Sequence, residues 1–272
     1  MSGRALARRL ARQLGPRDIA ILRTLLEFRL MQGAQLRRLL FSEGQRDTQT
    51  RKARAALQRL TQQKLIVRLD HHRSIGGEDA GSQSHTYGLG GWGHAVLDLD
   101  HQTPQRHRRV YDTKPAFAAH ALTVSELAVE LREQERAGLC EIEELRAEPG
   151  AWRRFVGLGG EQRILKPDMF VRMNVGEYEL SHFIEVDKDT ESLPTIFRKC
   201  RVYLDYFRTG QEQQTHGVFP LVWWLVPDRH RLEAIAHTIR RLPADAHALF
   251  TVALTSDAVS RLIHQPTEGG AL

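Results

Sequence analysis

Residues 165–199 read LKPDMFVRMNVGEYELSHFIEVDKDTESLPTIFRK, and how this stretch folds decides how the rest is read. It opens on Lys166-Pro167-Asp168, alternates through Ile184-Glu185-Val186-Asp187, and passes into a helical segment carrying Arg198 and Lys199. Side chains alternate along a strand, so Glu185 and Asp187 share one face while Leu180, Ile184 and Val186 share the other, which suits a core. Asp168 lies 17 residues before Glu185, and a hairpin turning at Gly176 sets the two side by side. Acids at i and i+2 near a strand end repel each other unless something positive lies between them. A hard cation with oxygen ligands, Mg²⁺ or Mn²⁺, is the economical answer, with Asp168, Glu185 and Asp187 as its expected ligands. Such an ion polarises a phosphoryl oxygen and lowers the pKa of an attacking water. Lys199 or Arg198 would then stabilise charge on the phosphate. The plainer alternative is a solvated strand end, with Glu185 and Asp187 paired to Arg198 or Arg201 and Asp168 in a turn.

The surrounding pattern is αβ. A long helix is expected from Ala116 to about Ala137, with Phe117, His120, Val124, Leu127 and Leu131 on one face. Strands follow at 140–145, 163–173 and 178–187, then a helix opened by Pro194 and reaching Phe207. Val218–Val226 is nearly all apolar, as in a strand buried on both faces. A helix over 230–241 and a strand over 249–255 complete the order α-β-β-β-α-β-α-β. Tyr203 and Tyr206, on the helix after the acids, read as packing residues rather than nucleophiles.

Toward the N-terminus the pattern changes. Residues 1–15 form a basic arm, disordered or helical. Pro16-Arg17-Asp18 reads as a helix start, with Ile19, Leu22, Leu26 and Leu30 at helical spacing. A short helix over 34–40 follows Gly33. A third helix, about 47–63, sets Ala53, Leu57 and Leu60 on one stripe, with Thr48, Gln49, Arg51, Lys52, Arg54, Gln58 and Arg59 around the rest. Arg and Gln can bond base edges, and Arg and Lys neutralise phosphates. Strands at 65–69 and 85–89, the second led by His85, flank a Gly- and Ser-rich tip. Residues 99–115, with Pro104 and Pro115, read as a linker.

Charge supports two parts. The net charge is +6, but residues 1–112 hold 20 Lys and Arg against 10 Asp and Glu, and the remainder holds 19 against 23. A basic part near +10 joined to an acidic one near −4 fits a nucleic-acid anchor attached to something else. Two cysteines, Cys140 and Cys200, make neither a disulfide framework nor a zinc site alone, and a cytoplasmic setting is expected. With no apolar run of eighteen residues, no membrane partner is expected. None of the thirteen histidines forms the pair flanking one apolar residue that a familiar relaxase metal site needs, and zinc-protease and P-loop spacings are absent.

Two resemblances rest on these residues. ALQRLTQQKLIVRL (56–69) followed by HTYGLGGWGHAVLD (85–98) resembles the winged helix-turn-helix family. It implies a DNA-binding domain over 16–98, with Thr48, Gln49, Arg51, Lys52, Arg54, Arg59 and His85 toward double-stranded DNA. Pro-Asp on one strand and Glu-x-Asp on the next resembles the PD-(D/E)xK fold, and with the winged helix before it the chain is similar to the replication-relaxation family, associated with plasmids and integrative elements. The implied fold class is α+β in two domains, the second (116–258) a restriction-endonuclease-like α/β domain with a mixed sheet. Asp168, Glu185, Asp187 and Lys199 would be its catalytic residues, with Glu126, Glu191 and His120 as second-tier candidates. The departure is that nucleases of this fold usually have lysine where Asp187 stands. The function so implied is a Mg²⁺- or Mn²⁺-dependent DNA nickase or endonuclease of a mobile element. The alternative is a winged-helix origin- or operator-binding protein, or transcriptional regulator, with a silent nuclease-like domain. A homodimer, and replication or transfer proteins of the element, are the further partners considered.

Overall fold

A computed structural model describes residues 3–69, 85–100, 114–157 and 159–264. The chain is mixed α/β and divides into two compact units, Met1–Val129 and Glu130–Leu272. Among the described residues no helix is long and apolar enough to cross a membrane.

The first unit begins with α1 (Gly3–Ala11), so the expected basic arm is a helix, and its Ala7 and Leu10 are buried. There follow α2 (Pro16–Phe28), β1 (Leu30–Gln32), α3 (Gly33–Leu40), α4 (Arg46–Gln62), β2 (Ile66–Leu69), β3 (Thr86–Leu89) and α5 (Gly91–Leu97). The predicted stripe of α2 is rotated. Ile21, Leu22 and Leu25 face inward, whereas Leu26 is exposed. The three strands form one antiparallel sheet in the order β1-β3-β2. The tip expected between β2 and β3 lies outside the described residues, as does most of the expected linker. Gly93 is dictated by packing, because a Cβ there would stand 2.2 Å from the Leu65 carbonyl oxygen. The long helix α6 (Pro115–Arg136) contributes its residues through Val129 to this unit. Ser125 Oγ donates to the Leu30 carbonyl at 2.8 Å, fixing α6 to β1.

The second unit contains β4 (Glu141–Ala147), β5 (Arg153–Val156), β6 (Gln162–Leu165), β7 (Met169–Val175), β8 (Tyr178–Val186), α7 (Leu193–Thr209), α8 (Gln211–His216), β9 (Leu221–Val226), α9 (Arg229–Ile239), β10 (Phe250–Leu254) and α10 (Ala258–Leu262). Five strands form a mixed sheet in the order β10-β9-β8-β7-β4. The strands β8, β9 and β10 pair in parallel, while β7 pairs antiparallel with both β8 and β4. The strand expected over 163–173 is two strands. Pro167, which lacks an N–H for a ladder, stands between β6, paired with β5 in a small second sheet, and β7. The five-stranded sheet then resumes at Asp168, whose N–H donates to the Ile184 carbonyl at 3.0 Å.

One sheet face packs Phe170, Phe183, Val222 and Trp224 against Ile196, Cys200 and Tyr203 of α7 and Ile235 and Ile239 of α9. Each such side chain contributes roughly 1.5–3 kcal/mol on burial. The apolar run LVWWLV is the interior strand β9, buried along nearly its whole length, as its composition predicts. On the other face, His182 Nδ1 accepts from Trp223 Nε1–H at 3.1 Å. Burial pushes the His182 pKa down to about 4, so this histidine is a neutral packing residue.

Candidate functional site

The hairpin β7–β8 and its flanking residues bring Asp168 and Glu185 to one sheet face, as the strand register requires. Asp168 continues the β7 side of the Met169↔Ile184 pairing, and its Oδ2 accepts the Val186 N–H at 2.7 Å. Glu185 sits opposite Trp224 on the neighbouring strand. The plainer alternative of a solvated strand end does not hold, because all three acids are buried. Asp168 is 9% exposed, Glu185 2% and Asp187 3%. The reason is that α7 covers Glu185 and α9 covers Asp187.

Lys199 lies three residues after Ile196 and four before Tyr203 on α7, so one helix face delivers all three inward. Lys199 Nζ stands 3.1 Å from Glu185 Oε2 and 2.7 Å from Glu191 Oε1. Its ammonium also lies 5.7 Å from the centre of the Trp224 ring. Tyr203, buried, donates its hydroxyl to Glu185 Oε1 at 2.7 Å. Burial and the adjacent Asp168 push Glu185 up to about 7, against the pull of Lys199 and Tyr203. For Lys199, burial works against the charge, but Glu185, Glu191 and Asp168 outweigh it and hold its pKa above the ordinary lysine value. The Tyr203 phenol is held well above its usual pKa by burial and by Glu185. It therefore stays protonated, as a donor rather than a nucleophile.

Asp187 stands apart from this group. Its Oδ2 accepts Arg231 Nε–H at 2.5 Å and the Asp189 N–H at 3.2 Å, and a second Arg231 nitrogen reaches Asp189 at 3.1 Å. Arg231 also donates to the Glu191 carbonyl. The position that carries lysine in nucleases of the resembled fold thus holds an acid whose charge is met by an arginine 44 residues later. Sequence reading missed Arg231, because nothing in DRHRLEA ties it to Asp187. Tyr203 was legible as a neighbour of Lys199 through its i+4 spacing, though its hydroxyl's partner was not.

These facts bear on the expected metal set. Asp168, Glu185 and Asp187 do not act as one ligand group, because Asp187 is committed to Arg231 and both Glu185 oxygens accept protein donors. Among the described residues no three His, Cys, Asp or Glu side chains gather as a metal site would gather them. The trio as arranged does not fit a shared divalent ion, and a cation reaching Glu185 would first have to displace Lys199.

The second-tier candidates divide as well. Glu191 joins the cluster through Lys199, but Glu126 and His120 belong to the first unit. Glu126 accepts Gln35 Nε2–H at 2.8 Å and pairs with Arg38, which fastens α3 to α6. Tyr206 donates to Glu212 at 2.8 Å, and Arg153 meets the same carboxylate at 2.8 Å. Cys140 and Cys200 are both buried free thiols.

In the first unit, α4 buries Ala53, Leu57 and Leu60, and it leaves Arg51, Lys52, Arg54 and Gln58 exposed. Among the described residues Arg51, Lys52 and Arg54 make no ion pair. Arg59 instead holds the buried Asp18 at 2.7 Å, pinning α4 to the first turn of α2. Thr48 is half-buried, and Gln49 donates to the carbonyls of Ser42 and Gly44 at 3.0 and 2.8 Å. His85 leads into β3, its carbonyl accepting the Gly33 N–H at 2.9 Å.

No curated protein and no solved structure matches the chain. A family model described as replication-relaxation matches residues 22–222. That span takes in α4, the Asp168 and Glu185 strands and the Lys199 helix, and stops before Arg231. With most of its length so matched, the chain belongs to the replication-relaxation family.

Proposed function

We propose that this protein binds double-stranded DNA and serves the replication or transfer of a plasmid or other mobile element. In this reading the first unit is a winged helix-turn-helix with α4 as its recognition helix. The second is a PD-(D/E)xK-like domain whose acids are neutralised from within. The family supports the role in replication or transfer, and the observation that carries the binding is the exposed face of α4. Three cations there make no ion pair among the described residues while the opposite stripe is packed, the arrangement that phosphate and base-edge contacts require. The test is fluorescence anisotropy of the full chain on duplexes from a replication region and on unrelated duplexes. Binding that weakens steeply with salt is expected, and no binding to any duplex contradicts the reading.

A second reading, a Mg²⁺- or Mn²⁺-dependent nickase, is favoured by one observation: Lys199, displaced from the strand to α7, still reaches Glu185 beside Asp168. Incubating supercoiled plasmid with either ion tests it. Nicking by the wild type, lost in Asp168→Ala with DNA binding retained, would support that activity. Full nicking by the variant would remove these acids from it.

A further inference from the structure

Helix α1 carries a stripe of positive charge that the α4 reading leaves unused. Arg4, Arg8 and, one residue past the end of α1, Arg12 recur at four-residue spacing, with Arg9 beside them, and no acidic residue occurs before Asp18. All four arginines are exposed. Among the described residues none of them makes an ion pair. Like charges four apart on a helix repel by a few tenths of a kcal/mol per pair. Arg4 adds to that cost, because it lies in the first turn, where the helix dipole favours anions. An external polyanion relieves both.

The helix is held in place rather than trailing. Ala7 and Leu10 enter the core of the first unit, and Leu6, Ala11 and Leu14 pack against it. The chain then passes through Gly15 into α2, where Arg17 lies over the Phe41 ring at the end of α3, 5.1 Å from its centre. Asp18, one residue on, grips Arg59 of α4. Helix α1 itself packs against α5, so the charged stripe is fixed to the same compact unit that carries α4. Its apolar side is already consumed inside the protein, so α1 lacks the free apolar face that a membrane-surface helix would insert.

We propose that α1 is a second phosphate-contacting element for double-stranded DNA, widening the contact made by α4 without adding sequence preference. This rests on the reading of the first unit as DNA-binding. The experiment measures anisotropy of the full chain on two unrelated duplexes between about 50 and 200 mM salt, the range over which phosphate contacts show. It compares the wild type with Arg4→Gln/Arg8→Gln/Arg12→Gln, the corresponding three-lysine variant and Arg51→Gln/Arg54→Gln. Each phosphate contact contributes about 0.9 to the slope of log affinity against log salt. The glutamine triple should therefore lower the slope by roughly 2–3, equally on both duplexes, while the lysine triple keeps it. Helical circular dichroism should be unchanged, and the melting temperature of the glutamine triple should be equal to or slightly above that of the wild type.

A wild type that binds steeply and a glutamine triple with the same slope overturn the proposal while leaving the α4 reading intact. Equal loss in the lysine triple also overturns it, because the contact would not be electrostatic. A wild type that binds no duplex removes both readings. Unchanged salt slopes on both duplexes, with binding to anionic vesicles lost in the glutamine triple when co-sedimentation is measured alongside, assign the stripe to lipid instead and overturn the proposal.

Discussion

The two units treat positive charge in opposite ways. On α4 of the first, Arg51, Lys52 and Arg54 are exposed and pair with no acid among the described residues. In the second, the cations nearest the sheet are matched internally: Lys199 with Glu185 and Glu191, Arg231 with Asp187 and Asp189, Arg153 with Glu212. An unmatched exposed cation costs the folded protein little and stays available to an outside anion. A buried matched pair is committed, because separating it strands a charge away from water. The difference supports the proposal that the first unit is the part that meets a polyanion. It also makes the acids of the second unit structural partners in the state described.

The largest way to break this comparison is at Arg231. Replacing it by Met should cost about 3–5 kcal/mol in urea unfolding, as expected when one half of a buried ion pair is removed. Adding Asp187→Asn should recover much of that loss. A single variant as stable as the wild type would show that Arg231 is not needed to neutralise Asp187.

A smaller effect is expected on α4. If Arg51 or Arg54 reads a base, its loss should cost ~1–3 kcal/mol of binding and relax specificity. If it contacts phosphate, the salt slope should fall by about one unit instead. Either way unfolding stability should stay within about 0.5 kcal/mol, as for surface sites without partners.

The mildest expected effect is a change in pH profile. Glu185 is raised to about 7 in the folded protein, so the folded chain retains a proton that the unfolded chain has lost between the ordinary carboxyl range and about 7. Its contribution favours folding at low pH and disappears as pH rises through about 7. Glu185→Gln, neutral throughout, should flatten the fall in stability over that window. An unaltered profile in urea melts at several pH values would place Glu185 in its ordinary range.

Much of the fold was legible because it rests on short-range periodicity. The Ala53, Leu57 and Leu60 stripe gave α4 its inward face, and the near-continuous apolar run at 218–226 gave the buried interior strand β9. Lys199 was expected to turn toward the acids, and it does. What escaped depended on contacts between distant segments. The pairing of β5 with β6 follows from a break at Pro167 that alternation alone does not reveal. On α2 two apolar stripes compete, and the fold buries the one through Ile21, Leu22 and Leu25 rather than the one through Leu26. The fate of Asp187 turns on Arg231, and Glu126 is drawn away by Gln35 and Arg38, acids and partners being 44 and about 90 residues apart. A sequence shows which charges exist; only the fold decides which of them are already neutralised.

The most direct measurement places the two kinds of cation side by side. Duplex affinity of the full chain against salt concentration should be compared for the wild type, Arg51→Gln/Arg54→Gln and Lys199→Met. The account predicts a shallower slope for the α4 variant and an unchanged slope for Lys199→Met. A slope reduced by Lys199→Met and untouched by the α4 variant would contradict it.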